Sequence, residues 1–186
     1  MKGVFRPVLV KGWIGMYQKG DCIIYGNTGV CRVTDVGVPQ GLPEAGGERQ
    51  YYTLSPVYGN GTIYIPVDSP VFMRPVISRE EALDLIDRIP AIKEDTFESR
   101  DQRAMAEHFS ASLKTHACED LVQLIKTLYM RSKTLADKGK KPGKTDIQYR
   151  KRAEELLHEE LAVALGIPVE QVKDYIARSV EEREYA

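Results

Sequence analysis

Few side chains in this chain could do covalent or acid–base work. They are His108, His116 and His158, the cysteines Cys22, Cys31 and Cys118, and a glutamate group at Glu154, Glu155, Glu159 and Glu160. Each histidine lies alone in a stretch of helical pattern, whereas a ligand or general base needs convergent partners. Helix surfaces and boundaries are their expected places. His158 follows Glu155 by three residues, and a Glu-x-x-His pair is one element of a di-iron helical site. That site needs a second copy, and the chain has none. The glutamates flank a leucine stripe, as on a solvated helix face. The cysteines form no Cys-x-x-Cys pair, and an odd count without a secretory leader points to a reducing cytoplasm rather than a disulfide scaffold. Gly26, Gly29, Gly37, Gly41, Gly46, Gly47, Gly59 and Gly61 are numerous, but none stands between a strand and a helix, where a phosphate cradle forms. We therefore expect no catalytic residues, no metal and no cofactor. The chain reads as a binding protein.

The formal net charge is −1, so any attraction to nucleic acid or an anionic surface must be local. No apolar run approaches the ~20 residues of a membrane span. Between Lys126 and Arg152, however, Lys126, Arg131, Lys133, Lys138, Lys140, Lys141, Lys144, Arg150, Lys151 and Arg152 are opposed only by Asp137 and Asp146. Such a block is either a solvated connector or a surface that contacts phosphates. Tyr129 and Tyr149 lie within it, as stacking groups or as packed ones.

Two kinds of structure must carry these residues. From Tyr17 to about Met73 the chain reads as short strands. Residues 22–25 and 30–33 flank a turn at Gly26 to Gly29, which would set Ile24, not Cys22, opposite Cys31. Residues 37–47 (GVPQGLPEAGG) form a mobile Gly/Pro-rich loop. Residues 51–54, a Gly59-Asn60-Gly61 turn and residues 62–66 complete a small bent sheet or barrel. At about 55 residues it holds only a thin core and should lean on a partner. From Val76 the period becomes helical. Ser78 and Glu81 make a capping box for a helix ending at Pro90. A second helix is expected from about Phe97 to Lys114 behind the capping residue Asp95, and a third from near Glu119. Residues 137–146 (DKGKKPGKTD) read as a flexible connector. A second capping box, Thr145 to Gln148, opens a helix that stops at Gly166. Pro168 starts the last one. The expected fold is α+β in two domains: 16–75, a small β-barrel, and 76–186, a compact helical bundle.

The first 15 residues, MKGVFRPVLVKGWIG, make a poor signal peptide, with a short apolar patch and no small-residue cleavage site. Lys11-Gly12 requires a purine-rich codon pair shortly before Met16, where a ribosome-binding sequence would sit. Two readings stand: a disordered translated leader or vector-derived addition ahead of a natural start at Met16, or a genuine floppy N-terminus.

The ordered set YQKGDCIIYGNTGVCRVTDV, YYTL and TIYIPVDSP resembles the N-terminal module of the CarD family of bacterial transcription regulators, a module related to one in the transcription–repair coupling factor. The helical half, LVQLIKTLYMRSKTLADKGKKPGKTDIQYRKRAEELLHEELAVALGI, is similar to the family's Gram-positive C-terminal domain, so the resemblance covers about Tyr17 to Ile176. It implies a Tudor-like, SH3-type barrel that binds the β subunit of RNA polymerase. It also implies a helical domain that contacts promoter DNA at the upstream edge of the melted region, modulating the open complex without enzymatic activity in the bacterial cytoplasm. Neither a membrane nor a small-molecule substrate is expected as a partner. By position in the motif the polymerase-binding residues are Thr62, Tyr64 and Pro66, with Tyr52 and Val38 beside them. The barrel would bind by adding a strand at an exposed edge. If Ile63 and Ile65 face the core, Thr62 and Tyr64 face outward. Some members carry arginine where Tyr64 falls, and Pro66 suits an edge. Many members place a tryptophan before the first long C-terminal helix, as a minor-groove wedge. The only tryptophan here is Trp13, and the nearest equivalent is Phe97, an apolar wedge or a helix staple. The implied DNA-binding residues are Phe97, Arg100, Arg103, Lys126, Arg131, Lys133, Lys140, Lys141, Lys144 and Arg150.

Three rival readings remain open. The chain could bind polymerase without productive DNA engagement, or be an RNA- or ribosome-associated SH3-like protein, although the barrel is poor in lysine. A metal-dependent helical enzyme would rest on Glu155 and His158 alone. A monomer is expected, although a thin barrel can swap strands or pair edge to edge when its partner is absent.

Overall fold

A computed structural model describes residues 8–10, 13–15, 17–39 and 49–184. They fall into two units, divided between Val76 and Ile77. In the first unit, β1 (Val8–Val10) and β2 (Trp13–Gly15) form a short antiparallel pair. The rest of the expected leader, and most of the expected 37–47 loop, lie outside the described residues.

The motif that follows begins with a tight turn. Gly20 takes φ 99°, which suits the third position of a type II turn and disfavours residues with a Cβ. Asp21 closes the turn twice: its N–H donates to the Gln18 carbonyl at 3.0 Å, and its carboxylate accepts from the Gln18 N–H at 2.7 Å. The Gly20 N–H then donates to the Val33 carbonyl at 2.7 Å, which ties the turn to the strand that ends the motif.

Five strands follow: β3 (Cys22–Tyr25), β4 (Gly29–Gly37), β5 (Tyr51–Pro56), β6 (Ile63–Pro66) and β7 (Met73–Pro75). They pair antiparallel in the order β6-β5-β4-β3-β7. That order is linear, so the sheet is open and β6 and β7 are its edges. The register slips between Val33 and Asp35, where the Thr34 hydroxyl donates to the Thr53 carbonyl at 3.0 Å. A bulge of this kind bends a long strand. The hairpin is one residue tighter than expected. Tyr25 pairs with Gly29, Ile23 rather than Ile24 stands opposite Cys31, and Cys22 stands opposite Arg32. None of the three cysteines forms a disulfide. Tyr17, Ile23, Cys31, Val33, Tyr52, Leu54 and Ile65 make the core, thin as its length requires.

The second unit contains α1 (Arg79–Arg88), a 3-10 turn (Ile89–Ala91), α2 (Gln102–Lys114), α3 (Cys118–Asp137), α4 (Lys144–Leu165) and α5 (Val169–Glu184). The α1 capping box is reciprocal: Glu81 N–H donates to Ser78 Oγ at 3.1 Å, and Ser78 N–H donates to Glu81 Oε2 at 2.7 Å. Gly166 ends α4 in the left-handed region at φ 69°. Phe109, Leu121, Leu128, Leu157, Leu161 and Val172 lie in the shared apolar core. No described helix is long and apolar enough to cross a membrane.

Three expectations need correction here. α2 starts at Gln102, not Phe97, because successive side chains capture the backbone first. Asp95 accepts from Phe97 N–H at 2.9 Å, Ser99 from Asp101 N–H at 3.1 Å, and Asp101 from Arg103 N–H at 2.8 Å as the true N-cap. The α4 N-cap is Gly143, which makes no side-chain cap bond, so the box expected at Thr145 does not form. The lysine-rich connector is also shorter than expected, since α3 runs to Asp137 and α4 begins at Lys144. Gly139 at φ 68° closes α3, with Gly139 N–H on the Ala136 carbonyl at 2.9 Å and Lys140 N–H on the Leu135 carbonyl at 2.8 Å. This is a Schellman-type stop.

Candidate functional site

The β6 edge has the geometry for strand addition. Tyr51 faces Pro66 and Thr53 faces Tyr64 in the β5–β6 ladder, and the Val67 N–H donates to the Gln50 carbonyl at 3.1 Å. Hydrogen-bonded and non-bonded pairs alternate along an antiparallel ladder. Counting back from Val67, Ile65 and Ile63 turn their backbone groups toward β5, and Tyr64 turns its N–H and carbonyl away from the sheet. The Pro66 carbonyl accepts the Ser69 N–H at 3.0 Å, and proline has no N–H to offer. An added strand would therefore be read at Thr62 and Tyr64 and stopped at Pro66.

The Tyr64 ring stands out from this edge with 46% of the residue exposed, while Ile65 is buried at 8%. Thr62 and Val38 are exposed as well. Tyr52 is not. It is a core residue at 2% exposure whose hydroxyl accepts the Tyr17 N–H at 3.3 Å, so it supports the sheet and cannot touch a partner directly. Strand alternation explains the difference, since Tyr52 stands opposite the inward-facing Ile65.

In the second unit the expected DNA-binding residues separate into two groups. The first is already engaged. Lys126 donates to the carbonyls of Ile89 at 3.0 Å and Pro90 at 3.4 Å, and to that of Ile92, so it caps the 3-10 turn. Arg131 pairs with Asp146 at 3.2 Å, Arg103 with Glu107 at 3.0 Å, and Arg150 with Glu154 at 2.8 Å while lying over the Tyr129 ring. Lys126 cannot serve as an independent phosphate contact in this arrangement. The second group is Lys133, Lys140, Lys141 and Lys144, with Lys138 beside them; all are exposed and make no side-chain ion pair among the described residues. They follow one another from the end of α3 through the closed turn to the start of α4, where the helix dipole adds positive character. Arg100 is exposed on the loop before α2 and is likewise without an ion pair among the described residues.

Phe97 is 38% exposed, and its ring stacks on His108 with centroids 4.1 Å apart and planes 19° apart. His108 Nε2 lies 2.5 Å from Asp95 Oδ2. The Phe97 N–H, and secondarily the His108 ring, hold the Asp95 carboxyl below the usual carboxylate range. The surrounding loop is acidic: Glu94, Glu98 and Asp101 are exposed beside Lys93 and Arg100. This collar opposes a phosphate backbone near Phe97, which the basic block alone does not suggest.

The groups that could do chemistry do not converge. Among the described residues no three His, Cys, Asp or Glu side chains stand together as a metal set. Glu155 is taken by Arg152 at 3.3 Å and Lys151 at 3.9 Å, which leaves His158 without it. Burial lowers the His158 pKa. Glu160, expected on a solvated face, is 1% exposed. Its Oε1 accepts the Ile77 N–H at 3.1 Å and its Oε2 the Cys118 thiol at 3.1 Å, joining α4 to the start of the unit and to α3. The visible signal was its place beside Leu157 and Leu161, on the inward side of the stripe.

β6 is an edge of an open sheet with the Tyr64 backbone groups turned outward, an arrangement suited to pairing with a strand of another protein. Residues 17–77 match the CarD-like/TRCF RID domain family. That match supports an RNA polymerase-binding, transcription-related role for residues 17–77. No curated protein matches the chain.

Proposed function

We propose that the protein is a transcription regulator that docks on the RNA polymerase β subunit through the β6 edge. Its helical unit then contacts promoter DNA near the upstream border of the melted region and modulates the lifetime of the open complex. The observation that carries the docking is the outward N–H and carbonyl of Tyr64 on an edge strand, beside an exposed ring. Residues 16–75 form the polymerase-interaction domain, an opened member of the Tudor- and SH3-like class, and residues 76–186 the DNA-contacting domain. DNA engagement uses Phe97 and Arg100 on one loop and Lys133, Lys140, Lys141 and Lys144 at the α3–α4 end. The protein works in the cytoplasm, as a monomer, without a cofactor.

A second reading draws support from the acidic collar and from the engaged Lys126, Arg103, Arg131 and Arg150. In that reading the protein binds polymerase and leaves DNA largely untouched. Open-complex decay on a linear promoter fragment, with and without the protein, separates the two. Regulation through DNA predicts a lifetime changed by the protein and restored when Lys140, Lys141 and Lys144 are reversed to glutamate. An unchanged lifetime with intact polymerase binding would favour the second reading.

A further inference from the structure

We infer that the nucleic-acid platform is a supported two-ring stack rather than one phenylalanine, with His108 as its backing ring. The inference rests on the proposed meeting of Phe97 with melted DNA and says how this chain achieves it. The expected recognition partner is the exposed face of an unpaired nucleobase.

The stack is held at every level. Phe97 stacks nearly parallel on His108 at 4.1 Å. Asp95 grips both members, taking the Phe97 N–H on Oδ1 at 2.9 Å and facing His108 Nε2 through Oδ2 at 2.5 Å. Asp95 is itself anchored to α3, since its N–H donates to Thr127 Oγ1 at 2.9 Å and that hydroxyl donates to the Gln123 carbonyl at 2.7 Å. Behind His108, Phe109 approaches edge-on at 6.2 Å and is fully buried at 1%. An aromatic line thus runs from the core to the surface and ends in the exposed ring of Phe97.

The arrangement matters because a lone phenylalanine on a loop would have to be immobilised when it binds. Here Asp95 bonds the loop to α3 and His108 backs the ring, so stacking on a base forfeits less freedom. Every base has a π-face, so a platform of this kind tolerates sequence and selects for unpaired bases. His108 and Asp95 are positioning residues in this account. They act through Phe97 and need not touch DNA.

Two measurements on the full chain test it. The first uses protein alone: in a Trp13→Phe background, Phe97→Trp places an indole in the stack as a fluorescent reporter. His108→Ala should raise its emission and its accessibility to acrylamide, and His108→Phe should keep it shielded. Equal accessibility in all three would overturn the backing role. The second uses a DNA bubble with 2-aminopurine at the first unpaired position. Phe97→Ala should weaken binding of the bubble relative to duplex by roughly 5- to 150-fold, the range of one base–aromatic stack, and abolish quenching of the probe. His108→Ala should cost about two- to tenfold in the same ratio, and His108→Phe should restore it. If Phe97→Ala acts but His108→Ala does not, the DNA reading stands and the two-ring inference fails. If neither acts while reversal of Lys140, Lys141 and Lys144 removes binding, Phe97 does not meet DNA and the two-ring inference fails, while DNA contact through the lysines stands.

Discussion

Replacing Tyr64 with alanine isolates the docking edge from the fold. The residue is 46% exposed, and Tyr64 turns its N–H and carbonyl away from β5. A buried aromatic side chain covers on the order of 200 Å2, so the partner would cover roughly 90 Å2 of this ring. At ~25 cal/mol per Å2 that area contributes about 2.3 kcal/mol, or roughly a 50-fold change in Kd. The loss to the fold is smaller: tyrosine to alanine on an exposed strand position costs at most about 1 kcal/mol of strand preference. Titration of the full-length variant against purified β subunit, with thermal melts on the same samples, reads both quantities. A Kd within threefold of the parent, at an unchanged melting temperature, would refute the assignment of Tyr64 as the anchor.

Reversing Lys140, Lys141 and Lys144 to glutamate should weaken DNA binding and flatten its log–log salt dependence by ~0.9 for each phosphate that the variant no longer neutralises, whereas Arg103→Ala, which removes an exposed intrahelical pair, should change the slope little; salt titrations compare them directly. Glu160→Ala should destabilise the helical unit by about 2 kcal/mol, because it removes the buried acceptor of the Ile77 N–H and of the Cys118 thiol, and urea unfolding measures it. His158 has its pKa lowered by burial from 6.5, so the unfolded chain takes up its proton first as pH falls. Its contribution is whole above pH 6.5 and is lost as pH drops toward the folded value. Stability measured from about pH 8 to 5 should decline from about 6.5, and His158→Gln should flatten that part of the curve.

Local signals proved legible where a side chain and its backbone target are close in sequence. The Ser78–Glu81 box and the Gly166 stop follow from residue type and spacing, because each is closed within a few residues. The outward placement of Tyr64 and inward placement of Ile65 follow from strand alternation. Competing local bonds were harder to rank. Asp95, Ser99 and Asp101 are each capable N-caps, and only the turns that form show that Asp101 caps α2. Long-range partners were invisible. Lys126 reads as part of a basic run until the 3-10 turn supplies its carbonyls, and Arg131 and Asp146 meet across the α3–α4 turn. Glu160 shows the same limit: a glutamate beside buried leucines reads as solvated until donors such as the Ile77 N–H and the Cys118 thiol appear from distant segments. The basic surface that remains is narrower than the run suggested, made of lysines rather than arginines.

The most direct test of the docking claim is amide exchange at the β6 edge of the full-length protein, free and bound to the β subunit. The Tyr64 N–H points away from β5 and should exchange quickly in the free protein. The Ile65 N–H, paired to β5, should exchange slowly in both states. Strand addition predicts strong protection of Tyr64 on binding, with Ile65 little changed. Binding that leaves the Tyr64 amide exchanging as fast as in the free protein would contradict the account.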